Sequence, residues 1–208
     1  MEILLIGATG KVGKTVLAEA TFRGHSVLAA ARRPETIEEG PLVTAVKLDA
    51  RDAAAVAELG AEADVIVSAV SPRSTGNPAA EALRVGRALV AAAEQTGKRL
   101  IVVGGAGSLK LPDGRYVVEV VPEAYRNEAL AMREVLFLLQ KSRANWTFFS
   151  PAGLFVPGER TTNYRVGTTT LLTDANGESK ISYEDYAHAL VKELETSKFE
   201  RAQFTVAY

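Results

Sequence analysis

The segment Gly7-Ala8-Thr9-Gly10-Lys11-Val12-Gly13 follows directly on the apolar run Ile3-Leu4-Leu5-Ile6 and leads into Val16-Leu17-Ala18. Few features restrict a fold as much. The short apolar run predicts a buried strand, the glycines permit a sharp turn, and the stretch beyond predicts a helix. In that order they predict a βαβ start. The first helical turn aims unpaired N–H groups at a phosphate, and the glycines let the backbone approach it closely. The segment reads as a dinucleotide-binding turn.

Residues Ala8 to Thr15 also fit a relaxed phosphate-loop pattern, with Ala in place of the leading Gly and Gly13-Lys14-Thr15 at its end. The two readings demand different geometry. A phosphate loop sets Lys14 and Thr15 at the helix start, with Thr15 on magnesium. A dinucleotide turn starts the helix near Gly10, so Lys14 and Thr15 lie one turn in and Gly13 packs close to the strand. Gly7 follows the strand at once. No apolar run ends in the Asp that a magnesium-binding second strand would supply, since Asp64 precedes its run. The dinucleotide turn is preferred.

The 208 residues suffice for one domain over 1–208 with a single core. A formal net charge of −1 gives no electrostatic grip on nucleic acid or an anionic membrane. With no cysteine, disulfides, thiolate catalysis and Cys-based metal sites are excluded together. The two histidines are far apart, His25 reading as structural and His188 as a surface or partly packed residue, so no metal site is expected. No segment reaches the roughly 18 uninterrupted apolar residues that span a bilayer. The short first run lacks a basic leader and reads as a strand, not a signal. The expectation is a soluble cytoplasmic protein, monomeric or homodimeric, acting on a small molecule.

Apolar runs alternate with helix-like stretches, the pattern of parallel βαβ units. Strands are expected near 2–6, 26–30, 42–47, 64–68, 99–103 and 146–150, and helices over 11–23, 52–59, 78–96, 124–142 and 183–195. Runs such as Val65-Ile66-Val67 and Leu100-Ile101-Val102-Val103 are continuous, as when helices cover both faces of a sheet. Asp52 and Asn77-Pro78 read as helix starts, Gly97 as a helix stop, and Ser182-Tyr183-Glu184-Asp185 as a capping box with Asp in third place. The fold class is α/β, a Rossmann-like doubly wound parallel sheet. The irregular segment 105–123 and a small C-terminal lobe over 151–180 are expected on the substrate side.

After the second strand the chain reads Ala31-Arg32-Arg33-Pro34, where an NAD site would place an acid on the ribose 2′-hydroxyl. Two arginines there favour a 2′-phosphate, and hence NADP(H) with NAD(H) as the alternative. A charge-assisted contact is worth about 1.5–3 kcal/mol. Arg33 also reads as a solvated loop charge. Asp49 and Ala50 end the third strand, where the Asp49 carboxylate can accept from an adenine amino group or cap the turn into the next helix. Ser68, Ala69 and Val70 end the fourth strand beside the adenosine. Gly104, Gly105 and Ser108 follow the fifth, where the nicotinamide should lie.

Together with Trp146-Thr147-Phe148-Phe149-Ser150-Pro151 and the helix start at Ile181–Ala187, these motifs resemble the NAD(P)H-binding, NmrA-like branch of the atypical short-chain dehydrogenase/reductases. The likeness covers nearly the whole chain. Within the branch it is strongest to bacterial flavin-reductase-like proteins and, beyond them, to biliverdin reductase B/flavin reductase.

The wider superfamily uses Tyr-x-x-x-Lys, in which lysine lowers the tyrosine pKa for proton transfer at an alcohol oxygen. No tyrosine here has lysine four residues on; Tyr125 is followed there by Ala129, and the usual pair falls near Glu128 and Met132. The resemblance therefore implies a reductase of flavins or similar flat acceptors. Hydride delivered to flavin N5 leaves a delocalised anion, so positioning supplies most of the catalysis. A non-catalytic NADP(H) sensor is the alternative. Ser108 is the candidate to bond nicotinamide or acceptor, or else a loop hydroxyl capping a neighbouring N–H. Phe155 and Tyr116 read as rings to stack on an acceptor or as packing residues. Ser150-Pro151 shapes the nicotinamide end.

Overall fold

The computed structural model describes residues 1–72 and 76–208. It opens as the glycine segment requires: β1 (Glu2–Ile6), α1 (Lys11–Phe22) and β2 (Ser26–Ala31), the two strands pairing in parallel. There follow β3 (Val43–Lys47), α2 (Ala53–Glu62), β4 (Val65–Ser68), α3 (Pro78–Thr96), β5 (Arg99–Val103), α4 (Glu123–Lys141) and β6 (Trp146–Ser150). The chain ends through β7 (Leu154–Val156), β8 (Arg165–Gly167), β9 (Lys180–Ser182), α5 (Tyr183–Thr196) and β10 (Ala202–Ala207).

The main sheet runs β3-β2-β1-β4-β5-β6-β10-β8, parallel except for β8 against β10. Strand order reverses between β1 and β4, and in open sheets of this kind the ligand crevice lies outside the carboxyl ends at that point.

Each strand feeds two cores. Leu100 and Val102 of β5 meet the layer built by α2, α3 and α4, while Ile101 and Val103 meet the layer of α1 and α5. Alternation along a strand, with a helix over each face, explains the unbroken apolar runs. In the second layer Phe149 stacks on Tyr186 and on Phe204, each at 3.9 Å between ring centres. The Tyr186 hydroxyl donates to the Phe149 carbonyl at 2.6 Å, and burial pushes its phenol well above the ordinary range.

Local signals act where the sequence places them. Asp52 accepts from the N–H groups of Ala54 and Ala55, Asn77 from Ala80, and Gly97 takes the left-handed conformation at φ +69°. Ser182 caps α5 by accepting from the Asp185 N–H. The Asp185 carboxylate does not close the box. It is fully buried and accepts instead from the Thr161 hydroxyl, the Thr162 N–H and the Tyr208 hydroxyl.

Two strands of the main sheet escape the apolar pattern. In β10, Gln203 and Thr205 interrupt the run, and Gln203 faces a buried polar network instead of a helix. Segment 151–180 is also less separate than a lobe: β8 joins the sheet edge, while β7 and β9 form a two-stranded parallel ribbon. At three residues each, these strands are too short to show a period.

Arg99, at the start of β5, ties the sheet to α5. Its guanidinium bonds the carboxylate and carbonyl of Glu193, the Thr147 hydroxyl and the Ser197 hydroxyl. Glu193 in turn accepts from the N–H groups of Lys198 and Phe199. Both side chains are buried, 9% and 3% exposed. Removing one partner of such a pair strands the other charge and costs about 3–5 kcal/mol. We expect Glu193→Ala to lose that much in urea denaturation; a loss below about 1 kcal/mol would mean the pair acts like a surface one.

Candidate dinucleotide site

The turn after β1 is closed by its own backbone. The N–H groups of Gly7 and Ala8 donate to the Ala30 carbonyl, and the Gly10 N–H donates to the Gly7 carbonyl at 3.0 Å. Gly7 has φ +87°, and a Cβ there would stand 2.9 Å from the Ala69 carbonyl oxygen. At Gly13 a Cβ would lie 2.1 Å from the Gly7 carbonyl oxygen. Only glycine lets α1 settle this deeply against the end of β1.

α1 begins at Lys11, so Lys14 and Thr15 lie one turn in, and the Thr15 hydroxyl back-bonds to the Lys11 carbonyl. That is the dinucleotide geometry and not the phosphate-loop one. Gly10 supplies no side-chain cap, leaving the first N–H groups of α1 toward the crevice. Thr9 and Val12 are half-buried beside it, and Lys11 is exposed.

The β4 end continues the cradle. Ser68 is buried, and the Ala69 N–H donates to the Ile6 carbonyl, so Ala69 and Val70 lie along the glycine turn. At the β5 end a Cβ on Gly104 would strike the Phe148 ring at 2.2 Å, and one on Gly107 would meet Ala129 at 2.6 Å. The chain bearing Gly104 and Gly105 is thus pressed between β6 and α4.

On the adenosine side, Arg32 and Arg33 are exposed just beyond β2, and among the described residues neither enters an ion pair. Both guanidinium groups thus stand at the surface just beyond the carboxyl end of β2. Asp49 accepts from the Arg51 N–H and from the Arg51 guanidinium at 2.8 and 2.5 Å. That pairing, by side-chain hydrogen bonds first, holds its carboxyl at about 2. The cap of α2 falls to Asp52, and Ala50 is buried beneath it.

On the nicotinamide side the Ser108 hydroxyl is 2% exposed and donates to the Gly105 carbonyl at 2.7 Å. It also meets the Ser150 hydroxyl at 2.9 Å, and the Gln203 amide reaches both hydroxyls at 2.9 Å. Ser108 thus ties the β5 and β6 ends to the start of β10, with Pro151 buried behind Ser150. Gln203 was not legible as part of this network; an amide inside an apolar strand was the available signal.

Tyr116 and Phe155 do not converge. The Tyr116 ring lies under the guanidinium of Arg133 on α4, at 5.0 Å, and near the Lys110 ammonium. Phe155 packs into the opposite layer, edge-on to Tyr183 at 4.6 Å and against Tyr186. Both rings are half-buried, and they lie in different layers of the fold. The positions of the missing Tyr/Lys pair are occupied on α4 by Glu128, which accepts from Ser71 at 3.4 Å, and by Met132, which is buried under Gly105.

A cavity of about 660 Å³ opens in the C-terminal lobe, lined by Val156, Glu159, Tyr164, Arg165, Lys180 and Tyr208 among others. None of the glycine-turn residues lines it. The Tyr164 hydroxyl meets His188 Nδ1 at 2.7 Å, and burial pushes that phenol up to about 12 and holds His188 below its ordinary range. His25 pairs with Glu195 at 3.0 Å, a structural role.

A doubly wound sheet with a glycine cradle and an open helix N-terminus at its switch point defines a dinucleotide-binding Rossmann protein. The chain belongs to the NAD(P)H-binding family, whose model matches residues 7–197. Among solved structures it is similar to a protein of Burkholderia pseudomallei provisionally named as exported, at 42% identity over all of both chains and TM-score 0.90. A Bacteroides thetaiotaomicron protein provisionally named an epimerase shares 37% identity over 100% of this chain and 96% of its own, at TM-score 0.92. A Streptococcus pneumoniae TIGR4 protein provisionally named an NADH-flavin reductase shares 30% over 100% and 99%, at TM-score 0.84. Among the described residues no helix is long and apolar enough to cross a membrane.

The Asp49 pairing has a pH signature. A depressed carboxyl stabilises the fold above its ordinary range, and that contribution is lost as pH falls toward the folded midpoint. By NMR titration Asp49 should show a midpoint of about 2, returning toward 3.8 in Arg51→Gln. An unmoved midpoint in the variant would exclude Arg51 as the cause.

Proposed function

We propose that this protein is an NADPH-preferring reductase that delivers hydride to a flavin or a similarly flat conjugated acceptor. The observation that carries the reading is on α4, where Glu128 and Met132 stand in place of a tyrosine and its lysine. Without that pair, sugar or ketone chemistry by that route loses its acid. An acceptor whose reduced form is a stable anion needs none. The likeness to the pneumococcal protein points the same way.

The residues fit the dinucleotide. Gly7, Gly10 and Gly13 leave room for a pyrophosphate on the N-terminus of α1, and Arg32 with Arg33 would meet a 2′-phosphate. When bound, the reduced nicotinamide supplies the hydride. The protein's part is to orient: the Ser108, Ser150 and Gln203 network fixes the glycine-rich floor after β5, and Met132 keeps water from beneath it. Ser108 acts here as a positioning residue, through Gly105.

Replacing both Arg32 and Arg33 by Ala should reduce the preference for NADPH over NADH about 10- to 100-fold, the worth of one charge-assisted contact. Steady-state kinetics with both nucleotides checks this; an unchanged ratio would remove the arginines from the phosphate contact. The reductase itself is tested by anaerobic mixing with NADPH and FMN, following flavin absorbance. Bleaching that depends on protein and saturates in both reagents is expected. NADPH binding without bleaching of any acceptor would favour the sensor.

A further inference from the structure

The inward face of α4 can be followed residue by residue. Tyr125, Glu128, Met132, Val135 and Leu139 recur at helical spacing and lie on one stripe. Its lower part is core: Met132, Val135 and Leu139 are 6%, 3% and 1% exposed. Glu128 is half-buried, facing Ser71 beyond the end of β4. Tyr125 crowns the same stripe and is 56% exposed.

That exposure has a geometric cause. α4 runs antiparallel to the strands, so its N-terminal turn stands at the carboxyl end of the sheet. Ala129 abuts Gly107 and Met132 abuts Gly105, so one turn toward the helix start the stripe lies beyond the end of β5, and among the described residues no strand runs beneath it. A large aromatic on the core-facing stripe of the helix is thus left exposed at the carboxyl end of the sheet, the end at which the crevice lies. The rings that the sequence suggested for stacking, Tyr116 and Phe155, are spent in packing on opposite faces of the sheet.

We propose that Tyr125 is the stacking wall of the acceptor subsite, covering the flat ring of the molecule that receives the hydride above Gly105 and Gly107; this rests on the reductase reading. The ring supplies apolar area and a π-face. Its hydroxyl has no lysine four residues on and carries no proton-transfer role. Tyr125 positions the acceptor and is not a catalytic residue.

The test compares wild type, Tyr125→Phe and Tyr125→Ala in two measurements: quenching of FMN fluorescence by the NADP⁺-loaded protein, and anaerobic FMN reduction by NADPH. An offset ring pair is worth enough for about a 3- to 10-fold change in affinity. The Ala variant should show that rise in both the Kd and the KM for FMN, with the KM for NADPH unmoved and the Phe variant like wild type. Because Tyr125 is exposed, the Ala variant keeps its fold, which its unchanged NADPH affinity verifies. FMN affinity unchanged in the Ala variant overturns the inference, as does a Phe variant as weak as Ala, or a parallel loss of NADPH affinity. Wild type that binds FMN without reducing it refutes the reductase reading alone, and the binding series still decides on Tyr125. Wild type that neither binds nor reduces FMN overturns both.

Discussion

The contact between Gly13 and the Gly7 carbonyl fixes the rest of the molecule. With 2.1 Å between that oxygen and the place a Cβ would occupy, α1 lies against the end of β1 as no other residue would permit. The depth of that contact sets how far the first N–H groups of α1 reach into the crevice. It also sets the plane in which α1 meets α5 over one face of the sheet. Gly7 completes the arrangement by bringing the turn against the Ala69 carbonyl, so the ends of β1 and β4 close the switch point from both sides. The cofactor cradle and the packing of the second core are one constraint.

Buried polar groups perform a second kind of work. Arg99 and Glu193 join the amino end of β5 to α5, and the Ser108, Ser150 and Gln203 network joins the carboxyl ends of β5 and β6 to the start of β10. In the first, the buried Arg99 Nε has no partner among the described residues. The members of the second are bonded to one another, and a satisfied network specifies one arrangement where apolar packing tolerates several. Asp185 does the same in the lobe, bonding Thr161 and the Thr162 N–H, where Thr162 takes φ +60°. For a β-branched residue that backbone is strained and holds only because its surroundings dictate it.

The first six parallel strands and all five helices were legible, because continuous apolar runs bounded by Asp52, Asn77-Pro78 and Gly97 each carry a mechanism that acts locally. The glycine turn was legible for the same reason. What escaped were features settled by distant partners. β10 hides because Gln203 answers to Ser108, ninety-five positions away, and not to its neighbours. Asp49 read equally as a ligand for adenine or as a cap of the next turn, and its pairing with the Arg51 guanidinium depends on the rotamer of Arg51. Tyr116 and Phe155 are aromatic residues in the expected loops, and nothing in their local sequence says that a sheet stands between them. Tyr125 was visible only as a tyrosine without its lysine; its place on the inward stripe of α4 needs the end of the sheet to be known.

The polar knot on β10 also bears on how the chain acquires its site during synthesis. Parallel strands joined by long crossovers pair late, since their loop-closure entropy precedes the reward. The glycine turn draws on β1, α1, β2 and the end of β4, all of which precede the floor after β5 in the chain, whereas that floor waits for Gln203. A nascent chain can thus own half a crevice, shaped at its phosphate end and loose at its hydride end. Holding the dinucleotide and using it become possible at different moments in the life of one polypeptide.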